Sequence, residues 1–106
     1  MADLSAANDI EGFVGACLVD SDSGLMIASE GGGQIDMEAA AALNTQVVKA
    51  KLQAMELLGS NERVEEILIG MGKQIHLIRP LEKMPEVFLY LVLEKRIGKA
   101  LLHNSV

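Results

Sequence analysis

The run Asp20-Ser-Asp-Ser-Gly24 puts two carboxylates and two hydroxyls directly after an apolar segment, Phe13-Val-Gly-Ala-Cys-Leu-Val19. Oxygen atoms at such spacing could hold a cation. A calcium loop of the helix-loop-helix type needs ligands at positions 1, 3, 5 and 12 and a glycine at position 6. Counted from Asp20, position 5 is Gly24, position 6 is Leu25 and position 12 is Gly31, so the pattern fails. An aspartate pair after a strand could also serve a phosphatase, with Asp20 as nucleophile and Asp22 as acid/base. That chemistry draws a lysine and further carboxylates from a much larger fold. The better reading is a turn, in which Gly24 takes positive φ at little cost.

The other candidates are weaker. Gly31-Gly-Gly33 lacks the G-x-x-x-x-G-K-[ST] pattern of a phosphate loop and reads as a flexible connection to a helix cap at Asp36. His76 and His103 lie in different elements, and a metal site usually needs three or four converging ligands. Cys17, the one cysteine, sits in an apolar strand and reads as a small core filler. Lys95, Arg96 and Lys99 form a basic cluster on the solvated face of a terminal segment. No triad, acid/base pair or cofactor fingerprint emerges, so the expectation is a protein that is not an enzyme and carries no cofactor or metal.

The 106 residues suffice for one domain spanning 1–106. Half of them are hydrophobic but only three are aromatic, and the net charge is -6. Such an acidic chain lacks the electrostatic footprint of a nucleic-acid binder. Val87-Phe-Leu-Tyr-Leu-Val-Leu93 is too short to span a bilayer, which takes about 20 residues, so no direct membrane insertion is expected. MADLSAAND has no basic start or apolar stretch, so it does not read as a signal peptide. With no second cysteine for a disulfide, a reducing cytoplasm is the simplest compartment.

The elements that must carry these residues follow from pattern. A short first helix is expected over 3–12, strands over 13–20 and 25–29, and a long helix over 37–58 closed by Gly59-Ser-Asn61. Strands are expected over 64–71, 73–81 and 86–94, and a closing helix over 95–103. Five strands with helices between and after them imply an α/β sandwich around one mixed or antiparallel sheet. The 86–94 strand, apolar on both faces, belongs in the middle.

The long helix carries more apolar surface than its own sheet can use. Polar residues gather on somewhat more than a quarter of its circumference, and apolar ones cover about half or more, where roughly 100° would suffice. Asn44 and Lys51 interrupt this stripe one helical face apart, as polar groups do where they fix the register of packed helices. Either the terminal helices cover the surplus or a second copy of the chain does; the shortness of the terminal helices favours the copy. The 64–71 strand offers a sheet edge for the same purpose.

The sequence F-V-G-A-C-L-V-D-S-D-S-G-L-M-I-A-S over 13–29, an Ala-rich helix, E-E-I-L-I-G-M over 65–71 and H-L-I-R-P over 76–80 resemble the roadblock family, named for a dynein light chain. The resemblance covers nearly the whole chain. It implies an α+β fold: helix-β-β-helix-β-β-β-helix, with a five-stranded antiparallel sheet, the long helix on one face and the terminal helices on the other. It implies homodimers in which long helices pair and edge strands join. The interface would then fall on Ala40, Leu43, Asn44, Val47, Val48, Lys51 and Met55 of the helix and on Ile67, Leu68 and Ile69 of the edge strand. Bacterial and archaeal members act beside small Ras-like GTPases in cell polarity and gliding motility; others are adaptors in motors and scaffolds. The expected function is therefore a homodimeric GTPase regulator or scaffold, with a structural adaptor lacking a GTPase as the alternative. A partner would touch Thr45, Gln46, Lys49 and Arg63. Arg63, in the loop after the long helix, is the arginine best placed to act as a finger, though none is an obvious one.

Overall fold

The computed structural model describes residues 4–33 and 35–95. After a single 3-10 turn over Ser5–Asp9 come β1 (Phe13–Asp20), β2 (Leu25–Gly31), α1 (Met37–Leu57), β3 (Ile67–Gly70), β4 (Gln74–Pro80) and β5 (Val87–Glu94). The strands form one sheet in the order β2-β1-β5-β4-β3. Every neighbouring pair is antiparallel.

β5 takes the central place because it has no polar face to show to water. Phe88, Tyr90 and Val92 point to the helix side, where they pack with Cys17, Val19, Ile78, Met37, Ala41 and Val48. Leu91 and Leu93 point the other way and pack with Ala16, Phe13, Leu77 and, from the 3-10 turn, Leu4 and Ala7. Burial of side chains this size stabilises by about 1.5–3 kcal/mol each. The fold class implied by the sequence is the observed one, an α+β sandwich on a five-stranded antiparallel sheet.

The Asp20–Gly24 run is a hairpin turn that consumes its own polar groups. Asp20 Oδ1 accepts from the Asp22 N–H at 3.0 Å, and its Oδ2 accepts from Ser23 Oγ at 3.1 Å. Ser21 Oγ donates to the Glu86 carbonyl at 2.8 Å. Gly24 has φ +76°. Beyond the turn, β1 and β2 pair with a bulge: Leu18 faces Ala28 and Val19 faces Met26, leaving Ile27 over.

α1 is well closed at both ends. Asp36 Oδ1 accepts from the Ala39 N–H at 3.0 Å. At the other end Gly59, φ +69°, sends its N–H to Glu56 while Ser60 reaches Met55, which satisfies two terminal carbonyls.

Four expectations need correcting. The first helix over 3–12 shrinks to five residues of 3-10 turn. The 64–71 strand retains only Ile67–Gly70, because Glu65 and Glu66 lie outside the pairing. β2 runs on to Gly31 rather than ending at Ser29. Gly31 and Gly32 are also no loose connection. The Gly32 N–H is bonded to the Val14 carbonyl at 2.8 Å. A Cβ on Gly15 would stand 2.7 Å from the Gly32 Cα, and Met37 packs over the other side of Gly32. The glycines form a tight joint that aims α1 across the sheet. The closing helix expected over 95–103 lies, apart from Lys95, outside the described residues.

Candidate functional site

An α-helix turns about 100° per residue, so each residue's exposure shows which way its arc faces. Met37, Ala41, Thr45 and Val48 are buried against the sheet. On the arc turned away from the sheet, with Ala39, Ala50 and Ala54, Leu43 is 61% exposed and Leu57 81%; Val47, 39% exposed, stands at the edge of that arc. One side of α1 is tied to the first hairpin: Ala42 and Thr45 stand over Gly24, and Lys49 Nζ is 3.5 Å from the Asp22 carbonyl. The opposite flank, Ala40, Asn44, Val47 and Lys51, therefore lies toward β5, β4 and β3. Because α1 rests chiefly on β1 and β2, the helix side of β3 and the His76 end of β4 stay partly uncovered, while Ile78 is fully buried in the core. The result is a shallow groove whose wall is the Ala40, Asn44 and Val47 flank and whose floor is the half-buried Ile67, Ile69 and His76.

The second half of α1 has almost no support. No buried residue of the helix follows Val48. Lys49–Leu57, about 13 Å of helix at 1.5 Å per residue, hold only the half-buried Ala54 and Met55 in partial contact. Leu57 and Leu58 are both 81% exposed.

A small polar network sits under the groove. Tyr90, 2% exposed, places its hydroxyl 2.8 Å from His76 Nδ1. His76 Nε2 lies 3.0 Å from Gln74 Oε1. An amide oxygen can only accept, so Nε2 carries a proton, and in the neutral ring Nδ1 accepts from Tyr90. Burial favours the neutral ring and holds its pKa below the ordinary 6.5. The two rings meet edge to face at 5.4 Å. Burial raises the Tyr90 pKa, while a hydrogen bond with Asn44 works the other way. Asn44 Nδ2 donates to the Ala40 carbonyl at 2.8 Å. Helix and sheet are thereby joined through Asn44, Tyr90, His76 and Gln74. The sequence reading missed this network; its one visible sign was a lone tyrosine in the middle of an otherwise apolar strand.

The structure divides the expected site residues. Leu43, Val47 and Lys51 are exposed along one flank, with Ala40 and Asn44 half-buried beside them. Ile67 and Ile69 line the groove, while Leu68, 43% exposed, points from the opposite face of the edge strand. Met55 and Lys51 border a cavity of about 440 Å³ between the helix end and the 60–66 loop. Two residues are corrected outright. Val48, 5% exposed, fills the chain's own core and has no surface for another subunit. Thr45, 4% exposed, packs against the hairpin near Gly24 and donates its hydroxyl to the Ala41 carbonyl at 2.8 Å. Gln46, Lys49 and Arg63 are exposed. Arg63 borders a second cavity, about 700 Å³, with Arg79, Pro80 and Glu82. Arg79 Nη2 is paired with Glu66 Oε1 at 2.7 Å, which leaves Arg63 the freer of the two.

Among the described residues no three His, Cys, Asp or Glu side chains converge as metal ligands would. No described helix is long and apolar enough to cross a membrane. Cys17 is fully buried, and burial pushes its thiol up to about 11, so it is not a nucleophile at neutral pH.

No family model matches the sequence, and no curated protein does. Solved structures do. A roadblock/LC7 domain from Streptomyces avermitilis superimposes with TM-score 0.72 over 94% of this chain and 87% of its own, at 17% identity. The gliding protein MglB from Thermus thermophilus gives 0.72 over 96% and 77%, at 20% identity. The chain has the roadblock fold. A structure of MglB with a tetrameric arrangement gives 0.73 over 96% and 76%, at 21% identity. At such identities the roadblock likeness fixes the fold alone.

Proposed function

We propose that the chain is a non-enzymatic, self-associating cytoplasmic regulator or scaffold that binds a small Ras-like GTPase and modulates its nucleotide cycle or its location. The observation that carries the first half is the apolar flank of α1 beside an open β3 edge. Leu43, Val47, Leu57 and Leu58 are left uncovered by the described part of one chain. A second copy supplies a matching helix and a matching edge at once, which makes a twofold pairing self-complementary. That a solved MglB is described in a tetrameric arrangement supports assembly through this fold.

The GTPase half rests on the roadblock fold and on the gliding protein among its structural neighbours, and it points to polarity or motility. With Arg79 held by Glu66, activation would work by ordering the GTPase's own groups, or through Arg63. Gln46 and Lys49, exposed on the polar side of the helix, remain available to a partner.

Sedimentation equilibrium of the full chain tests the pairing: a dimer at micromolar concentration is expected, and a monomer overturns it. Pull-down and GTP-hydrolysis assays with small GTPases encoded near this gene test the partner. Binding in one nucleotide state is expected. A stable dimer that binds none of them leaves the structural-adaptor reading in its place.

A further inference from the structure

His76 stands on the groove floor, where a second copy's helix would cover it. The inference rests on the self-association proposed above. Its neutral ring accepts from Tyr90 through Nδ1 and donates to Gln74 through Nε2, so both nitrogens are already committed. A proton on Nδ1 removes that acceptor, makes the Tyr90 hydroxyl turn and accept instead, and places a charge beneath the helix flank that a second copy would cover.

The groups around the ring are few. β5 contributes Tyr90 and, in the pair with Gln74, the exposed carboxylate of Glu94. α1 contributes Asn44 and the exposed Lys51 on the same arc. β1 contributes the protonated thiol of Cys17 beside Tyr90. β3 presents Ile67 and Ile69 and no titratable group. Glu94 favours the imidazolium and Lys51 opposes it. Both are exposed and screened, whereas the Tyr90 bond is direct.

We propose that His76 makes self-association pH-dependent, the neutral imidazole being the form that a second copy can cover. The sign follows from proton linkage. A ring that is harder to protonate in the dimer than in the monomer must lose its proton on assembly, so acid drives dissociation. The window lies below the ordinary histidine value of 6.5, since burial already lowers the pKa in the single chain.

The test is sedimentation equilibrium of the full chain between pH 7.5 and 5.5, for the wild type and His76→Gln. The wild-type dissociation constant is expected to rise by about tenfold or more over this range, while the glutamine variant, uncharged throughout, stays within about twofold. Equal slopes for the two proteins, or a flat wild type, overturn the proposal and leave the dimer standing. A monomer at every pH overturns the dimer as well. If His76→Gln does not fold, NMR titration of the wild-type His76 ring decides. Its pKa must be lower at high protein concentration than at low, and equal values reject the switch.

Discussion

The two halves of α1 differ in what lies beneath them. Met37–Val48 rests on β1 and β2 and buries a residue about every turn; Lys49–Leu57 has similar apolar content and buries none. The same sequence chemistry thus serves folding in one half and exposure in the other. Isolated helices shorter than about 12–15 residues are marginal in water. The overhang stays helical because it continues a nucleated helix and ends in a good C-cap, and its apolar side chains meet little of their own chain.

Substitutions can break or sharpen this contrast. Val48→Asp puts an unpaired charge into the core of the first half and should cost more than about 3 kcal/mol, enough to abolish the cooperative melt seen by circular dichroism. Its neighbour Val47→Asp should melt like the wild type when monomeric. It should nevertheless weaken self-association about a hundredfold, near 2.7 kcal/mol, in sedimentation equilibrium. If Val47→Asp unfolds the chain, the division between adjacent arcs is wrong. Gly15→Ala attacks the joint that aims the helix: its Cβ would meet the Gly32 Cα at 2.7 Å. A loss of about 1–3 kcal/mol is expected in urea unfolding. Leu57→Ser, at the free end, should change monomer stability by less than about 0.5 kcal/mol. A larger loss would mean that the overhang is packed within the monomer after all.

Much of this was legible in the residues. β5 announced its central place by having no polar alternation, and Gly24 marked the first hairpin. The surplus of apolar surface on α1 could be read off its periodicity. Which edge of that surplus stays exposed could not. Val47 and Val48 are chemically identical and about 100° apart, and only the sheet's position separates them. Thr45 looked like a surface residue because its hydroxyl is polar; the carbonyl of Ala41 satisfies it within the helix, so burial costs little. Gly31 and Gly32 looked flexible because the residue that locks them, Gly15, lies far earlier in the chain. The His76–Tyr90 bond was hidden for a similar reason, since it crosses from β4 to β5.

The bulge at Ile27 has a consequence for architecture. A protomer with two straight, unguarded sheet borders could add copies at both and grow into a filament. Here β2 carries an extra residue that twists its border away, while β3 offers four regularly paired residues. In the self-association proposed above, growth by strand addition would have one usable end, so that contact would close at two copies.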